Sequence, residues 1–176
     1  MNELIFQEGI LLSLPALILY FIVKLIRKNF KSVTEEIMNG LMIIYVISFS
    51  YFLWFQPGPV LDHQPFNFKP FSTIVFYFDH IKQDYLPSSN IIINLMGNVI
   101  ITMPIGLWLS YKNSSARKAL LFAIMLPIFF ELGQFILHQL NYATRVIDID
   151  DWLLNAIGIL LGFWFVEIVK KWIKHK

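Results

Sequence analysis

Residues 119–138 read ALLFAIMLPIFFELGQFILH, an apolar run whose one carboxylate is Glu131. As a helix rising about 1.5 Å per residue, such a run reaches ~30 Å, the thickness of bilayer hydrocarbon. Whether it crosses a membrane decides the fold, and the composition of the chain bears on that directly. The 176 residues are 57% hydrophobic and 15% charged, where a soluble domain carries about 25% charged residues. So few charges do not cover the core of a soluble domain of this size. The apolar residues also come in blocks, the pattern of membrane spans.

Five blocks are legible, at about 5–26, 37–55, 90–111, 119–138 and 152–172. No water reaches backbone groups inside hydrocarbon, so each block is expected as a helix. An outer loop, 56–89, separates the second from the third and opens on the breaker Gln56-Pro57-Gly58-Pro59. The expected fold is an all-α integral membrane protein, a bundle of five transmembrane helices forming one domain over 1–176. Without cysteine the chain has no disulfide or thiolate metal site, and its four scattered histidines lack zinc spacing. No metal, cofactor or nucleic acid is expected.

Lysines and arginines set the orientation. Lys24, Arg27, Lys28 and Lys31 follow the first block, Lys112, Arg117 and Lys118 follow the third, and Lys170, Lys171, Lys174 and Lys176 close the chain. Only Lys69, Lys82 and Arg145 fall in the alternate regions, which hold most of the acids. The positive-inside rule places the N-terminus outside and the C-terminus in the cytoplasm, as an odd number of spans requires. Glu3 and Glu8 stand where a signal peptide carries positive charge, and no small-x-small site follows, so the first block is read as a retained span.

This topology puts Glu131 about seven residues, or ~10 Å, below the outer surface. Glu131, Gln134 and His138 share one helical face. Asn90, Asn94 and Asn98 form a stripe on the third block, and Asp151 and Asn155 open the fifth. Polar side chains in spans turn inward, so a shared outward-facing pocket is expected. Asn94, Asn98 and Gln134 read equally as interhelical contacts contributing about 0.6 to 2 kcal/mol each. A charge deep in a span costs on the order of 3 kcal/mol, so Glu131 reads as functional or as a protonated structural residue. Gly158 and Gly162 suit close packing of the fifth span, as Gly97, Gly106 and Gly133 do on the third and fourth.

The connection 142–151 holds Arg145, Asp148, Asp150 and Asp151. Arg145 pairs with an acid or clamps an anionic group, and Asp151 reads first as the cap of the fifth helix. In the outer loop, Pro70 suits a first helical turn, and Phe71, Ile74, Val75 and Phe78 form one apolar face. That face predicts an interfacial amphipathic helix roofing the pocket.

These residues also carry a family pattern: Asn98-x5-Pro104-x-Gly106, Glu131-x2-Gln134, then Arg145-x2-Asp148-x-Asp150-Asp151-x3-Asn155-x2-Gly158-x3-Gly162. The pattern resembles the VanZ-like family, named for a membrane protein associated with teicoplanin resistance, and Asn67-x2-Pro70-Phe71 is similar to its outer-loop segment. The resemblance covers roughly Asn67 to Gly162. One departure is Thr102, where the family usually has an apolar residue. The resemblance implies a multi-pass protein of the bacterial plasma membrane, linked to glycopeptide or lipoglycopeptide antibiotic resistance or to cell-envelope physiology.

Two functions follow from the residues and the resemblance together. In the first, Asn94, Asn98, Glu131, Gln134, Arg145, Asp148, Asp151 and Asn155 bind an amphiphile. Its class is a membrane lipid, a lipid-linked envelope precursor or the lipoglycopeptide antibiotic. In the second, an intramembrane enzyme acts on a lipid-linked head group with Glu131 as general acid or base. The chain shows no cysteine and no Gly-x-Ser-x-Gly nucleophile motif, so the reading leans away from an enzyme.

Overall fold

The computed structural model describes residues 2–55, 66–82, 88–142 and 147–175. The breaker at Gln56-Pro57-Gly58-Pro59, Arg145 and the side chain of Asn90 lie outside the described residues. The fold is all-helical apart from one two-residue strand pair. Its elements are α1 (Asn2–Arg27), α2 (Val33–Ser50) with a π-helical turn at Tyr51–Phe55, β1 (Phe66–Asn67), α3 (Ser72–Lys82), α4 (Ser88–Tyr111), α5 (Ala116–Gln139), β2 (Ile147–Asp148) and α6 (Ile149–Lys174). Each predicted block is a helix extending a few residues beyond it. Among the described residues, four helices are long and apolar enough to cross a bilayer: Gln7–Arg27, Val33–Phe55, Ala116–Gln139 and Ile149–Lys174. α4 matches them in length at 24 residues and carries Asn94 and Asn98 in an otherwise apolar sequence.

The helix ends follow local chemistry. Ser32 and Ser115 cap α2 and α5, each side chain accepting from a backbone N–H three residues on, at 3.2 and 3.3 Å. Asn113 and Asn141, with φ of 56° and 54°, stop α4 and α5 in the left-handed conformation that asparagine tolerates.

The chain divides into two compact units at Pro59 and Val60. In the first, α1 and α2 form an antiparallel hairpin. Its crossing is close at Gly9, where an added Cβ would lie 2.9 Å from the Cα of Ser48. At the other end, Glu36 is 7% exposed and fully engaged. Its carboxylate accepts from Lys24 Nζ at 2.9 Å, from the Lys31 backbone N–H at 2.8 Å and from the Tyr20 hydroxyl at 2.5 Å. Most of the hairpin's large apolar side chains, from Leu11 to Leu41, face outward.

In the second unit, α4 and α6 run parallel and make the most extensive contact, with α5 packed along α6. Three glycines set the α4–α6 separation. A Cβ on Gly106 would sit 1.9 Å from the carbonyl oxygen of Ile159. One on Gly158 would sit 2.2 Å from both Thr102 Oγ1 and the Val99 carbonyl oxygen, and one on Gly162 2.2 Å from that of Met103. The backbones therefore touch, which is what small residues provide between helices in lipid. Val99, Ile159 and Phe163 lie buried against these glycines. Gly97 behaves differently from expectation: nothing lies within 4 Å of its added Cβ, because it sits off the seam.

These distances predict opposite outcomes for one kind of substitution. Gly158→Ala or Gly106→Ala forces a methyl into backbone, and overpacking of this sort costs typically about 1–3 kcal/mol. Gly97→Ala meets open space and is expected to be neutral or to stabilise by up to about 1 kcal/mol, since alanine is the better helix former. Thermal unfolding of the detergent-solubilised protein reads both. Equal effects at the three positions would show that α4 and α6 do not pack this way.

Candidate functional site

The polar residues collect where α3, α4 and α6 begin. β1 and β2 pair in parallel, with Phe66 opposite Ile147 and Asn67 opposite Asp148, so the outer-loop segment lies against the start of α6. Asp148, with φ −126° and ψ 124°, is the N-cap of α6, and its carboxylate accepts from the Asp150 backbone N–H at 2.9 Å. It also accepts from Asn67 Nδ2 at 3.1 Å and from the Thr73 hydroxyl. The capping role expected of Asp151 thus belongs to Asp148. β2 ends at Asp148 and α6 begins at Ile149, three residues before the expected start at Trp152.

Asp150 is fully buried, and its carboxylate is occupied by a second helix. It accepts from the backbone N–H groups of Phe71 at 2.6 Å, Thr73 at 2.9 Å and Ile74 at 3.2 Å. Phe71 is where α3 begins, since its carbonyl takes the first helical bond, from Val75 N–H at 2.9 Å. A serine or aspartate there would cap the helix itself. Phe71 has no such side chain, and Asp150 supplies the carboxylate from α6. Phe71 also has φ 64°, a left-handed conformation that costs a non-glycine residue roughly 1–2 kcal/mol. The three charge-assisted bonds hold it there. Pro70 lies in the turn before α3 rather than in its first helical turn. Phe71, Val75 and Phe78 are exposed and Ile74 is half-buried, so most of the anticipated apolar face points away from the protein.

Beside this double cap, Asn94 and Asn98 of α4 each find a partner. Asn94 Nδ2 donates to the Tyr77 hydroxyl of α3 at 3.0 Å, and Asn98 Nδ2 donates to Asp151 Oδ1 of α6 at 2.6 Å. Burial and then the negative charge of Asp151 raise the Tyr77 phenol above the ordinary tyrosine range, with the Asn94 bond acting the other way. One turn deeper, buried Thr102 lies 2.8 Å from the carbonyl of Asn98 and 3.0 Å from that of Asn155 on α6. Asn155 itself is buried.

Glu131 and Gln134 stand on α5. Gln134 is buried; Glu131 is half-buried, with its Oε2 sealed from solvent. Trp152, in the first turn of α6, donates from Nε1 to the Ile124 carbonyl at 3.0 Å. Glu131 lies seven residues further along α5, or about 10 Å. Beyond it, the Phe135 ring meets Phe66 of β1 at 6.4 Å, and α5 also packs on β2. Glu131 therefore lies on the stretch of α5 between Ile124, which meets Trp152, and Phe135, which meets β1. Asp148, Asp151, Asn94 and Asn98 thus converge on one end of α4 and α6, with Asn155 one turn below and α5 alongside.

Sequence reasoning missed three contributors: Thr73 and Tyr77 on α3, and Thr102 on α4. The first two carried a signal, because they stand four residues apart on the side of α3 opposite Phe71, Val75 and Phe78. Thr102 carries no signal beyond its departure from the family pattern, and its hydroxyl lies against the Asn155 carbonyl. Among the described residues no cluster of histidine, aspartate and glutamate is arranged to hold a metal ion.

Comparison with known proteins gives one family. The family model described as VanZ/LLP1 matches residues 17–170. No curated protein and no solved structure matches the chain at a significant level.

Asp150→Ala is expected to free the start of α3 and to destabilise it by about 2 kcal/mol, the loss of a cap plus charge-assisted bonds. Hydrogen exchange in 71–82 should quicken while exchange in α4 stays slow. Unchanged protection of 71–82 would show that α3 does not depend on the carboxylate.

Proposed function

Since the chain belongs to the VanZ/LLP1 family, we propose that it is a multi-pass plasma-membrane protein that binds the polar head of an amphiphile where α3, α4 and α6 meet. In this reading α1, α2, α4, α5 and α6 all cross the bilayer, the N-terminus lies outside and the C-terminus in the cytoplasm. The observation that carries it is the convergence of Asn94, Asn98, Tyr77 and Asp151 at one end of otherwise apolar helices. The exposed aromatic face of α3 adjoins that cluster and suits the membrane interface, where it would meet the acyl chain. Arg145, in the connection between α5 and α6, would take the anionic part of the head group. The class of ligand is a lipid-linked envelope precursor or a lipidated glycopeptide such as teicoplanin, and Gln134 and Glu131 would line its α5 side.

Expression in a susceptible bacterium tests the reading by the teicoplanin concentration that stops growth. The intact chain is expected to raise that concentration. Asn98→Ala or Asp151→Ala is expected to remove most of the effect at unchanged protein level, since each leaves its partner without its bond. Glu131→Gln should weaken it only partly, because an amide still forms hydrogen bonds. Complete loss in Glu131→Gln, with the protein folded, would favour proton transfer over binding.

The orientation has a separate test. In a chain with Arg145→Cys as its sole cysteine, an impermeant thiol reagent applied to whole cells should label the protein. Labelling only after lysis would place the site on the cytoplasmic side.

A further inference from the structure

The other end of α4 and α6 holds a second polar feature, distinct from the site above. A cleft of about 300 Å3 is lined by Asn113, Ser114, Glu167, Lys170, Lys171 and Lys174. Two of its charges cancel within the protein. Lys170 Nζ donates to the Ser110 carbonyl at 2.5 Å, to Asn113 Oδ1 at 3.0 Å and to Glu167 Oε1 at 3.1 Å. Glu167 accepts in addition from the Ser110 hydroxyl at 2.7 Å. Lys170 is thus the cleft's wall, fixed between α4 and α6. Lys171 and Lys174 are exposed, and neither forms a hydrogen bond or salt bridge with another described residue. They leave the cleft with two positive charges and the Asn113 amide beside them.

The surface leading to this cleft is apolar. Ile168, Trp172 and Ile173 on α6 are each more than 60% exposed. At the end of α4, Lys112 Nζ lies 4.5 Å from the centre of the Trp108 ring, a cation–π contact of the kind found at membrane interfaces. A soluble anion has no use for an apolar approach, whereas a phospholipid has both a charged head and chains to lay along it. We propose that the cleft binds the phosphate of an anionic phospholipid, with Lys171 and Lys174 as the ligating charges and the acyl chains along the outer face of α6. The proposal rests on the proposed function in one respect, that α4 and α6 cross the bilayer with the C-terminus in the cytoplasm. On the charge distribution of the chain, the leaflet is the cytoplasmic one, whose anionic lipids attract lysines by about fivefold in affinity each.

The test is lipid retention. The full chain is reconstituted in phosphatidylcholine vesicles containing a minor fraction of phosphatidylglycerol, extracted in mild detergent, and its bound lipid is quantified by mass spectrometry. The intact protein is expected to retain phosphatidylglycerol in preference to phosphatidylcholine. Lys171→Gln combined with Lys174→Gln is expected to reduce that preference about 25-fold, with an unchanged unfolding temperature. Arg117→Gln combined with Lys118→Gln removes equal charge from outside the cleft and is expected to leave the preference intact. The proposal is overturned if the first pair has no effect, or if both pairs have the same effect, which would mean diffuse surface charge. It is also overturned if millimolar inorganic phosphate displaces the lipid, which would make the ligand a soluble anion. None of these outcomes touches the teicoplanin measurement, which depends on the opposite end of the helices.

Discussion

The contact between α4 and α6 governs the rest of the second unit. Where Gly106, Gly158 and Gly162 bring the two backbones together, the helices lose any freedom to slide or rotate against each other. A lipid environment offers no hydrophobic drive for helices to associate, so close van der Waals packing and interhelical hydrogen bonds supply the attraction. The seam thereby sets one register along its whole length. At one end that register brings Asn98 to Asp151, and at the other it brings Ser110 to Glu167 and Lys170. Both polar ends are consequences of one apolar fit.

Two buried carboxylates build the end where α6 begins, each by a different route. An isolated carboxylate in a dry interior is costly, and the structure offsets that cost by giving every oxygen of Asp148 and Asp150 a donor. Asp148 caps its own helix and holds Asn67 and Thr73. Asp150 caps a helix that begins 79 residues earlier in the chain. The result is that α3 is tied by its first turn alone to the base of α6, and its aromatic side chains are left outward. Tyr77 then reaches Asn94 one turn later, which closes a ring of polar contacts through α3, α4 and α6. A left-handed Phe71 is tolerated because its N–H is one of the three that Asp150 receives.

Much of this was legible from residues in order. Every apolar block became a helix, because block length and the demand for internal backbone bonding are local properties. The asparagine stripe on α4 and the Gly-x3-Gly pair on α6 were also readable, since helical periodicity puts residues four apart on one face. The partners were not readable in the same way. Asn98 was expected in a pocket shared with Glu131, Asp151 and Asn155, and only the structure selects Asp151 as its partner. Asp151 was read as a cap, and Asp148 does the capping. Each of these depends on how far one helix is displaced along another, and a shift of one turn exchanges every partner while leaving the sequence pattern unchanged.

The same reason divides the two sources of information for the whole molecule. By itself the sequence determined that the chain is helical, that it is apolar enough for membranes, and which short stretches carry the costly polar groups. Those are matters of composition and of spacing within one helix. Tertiary structure alone decided that Gly106 lies in a seam and Gly97 does not, and that Thr102 lies against a carbonyl on α6. It also decided that Lys170 is a fixed wall while Lys171 and Lys174 remain available. Such assignments rest on distances between helices far apart in sequence. Here the approach of two backbones at three glycines sets them.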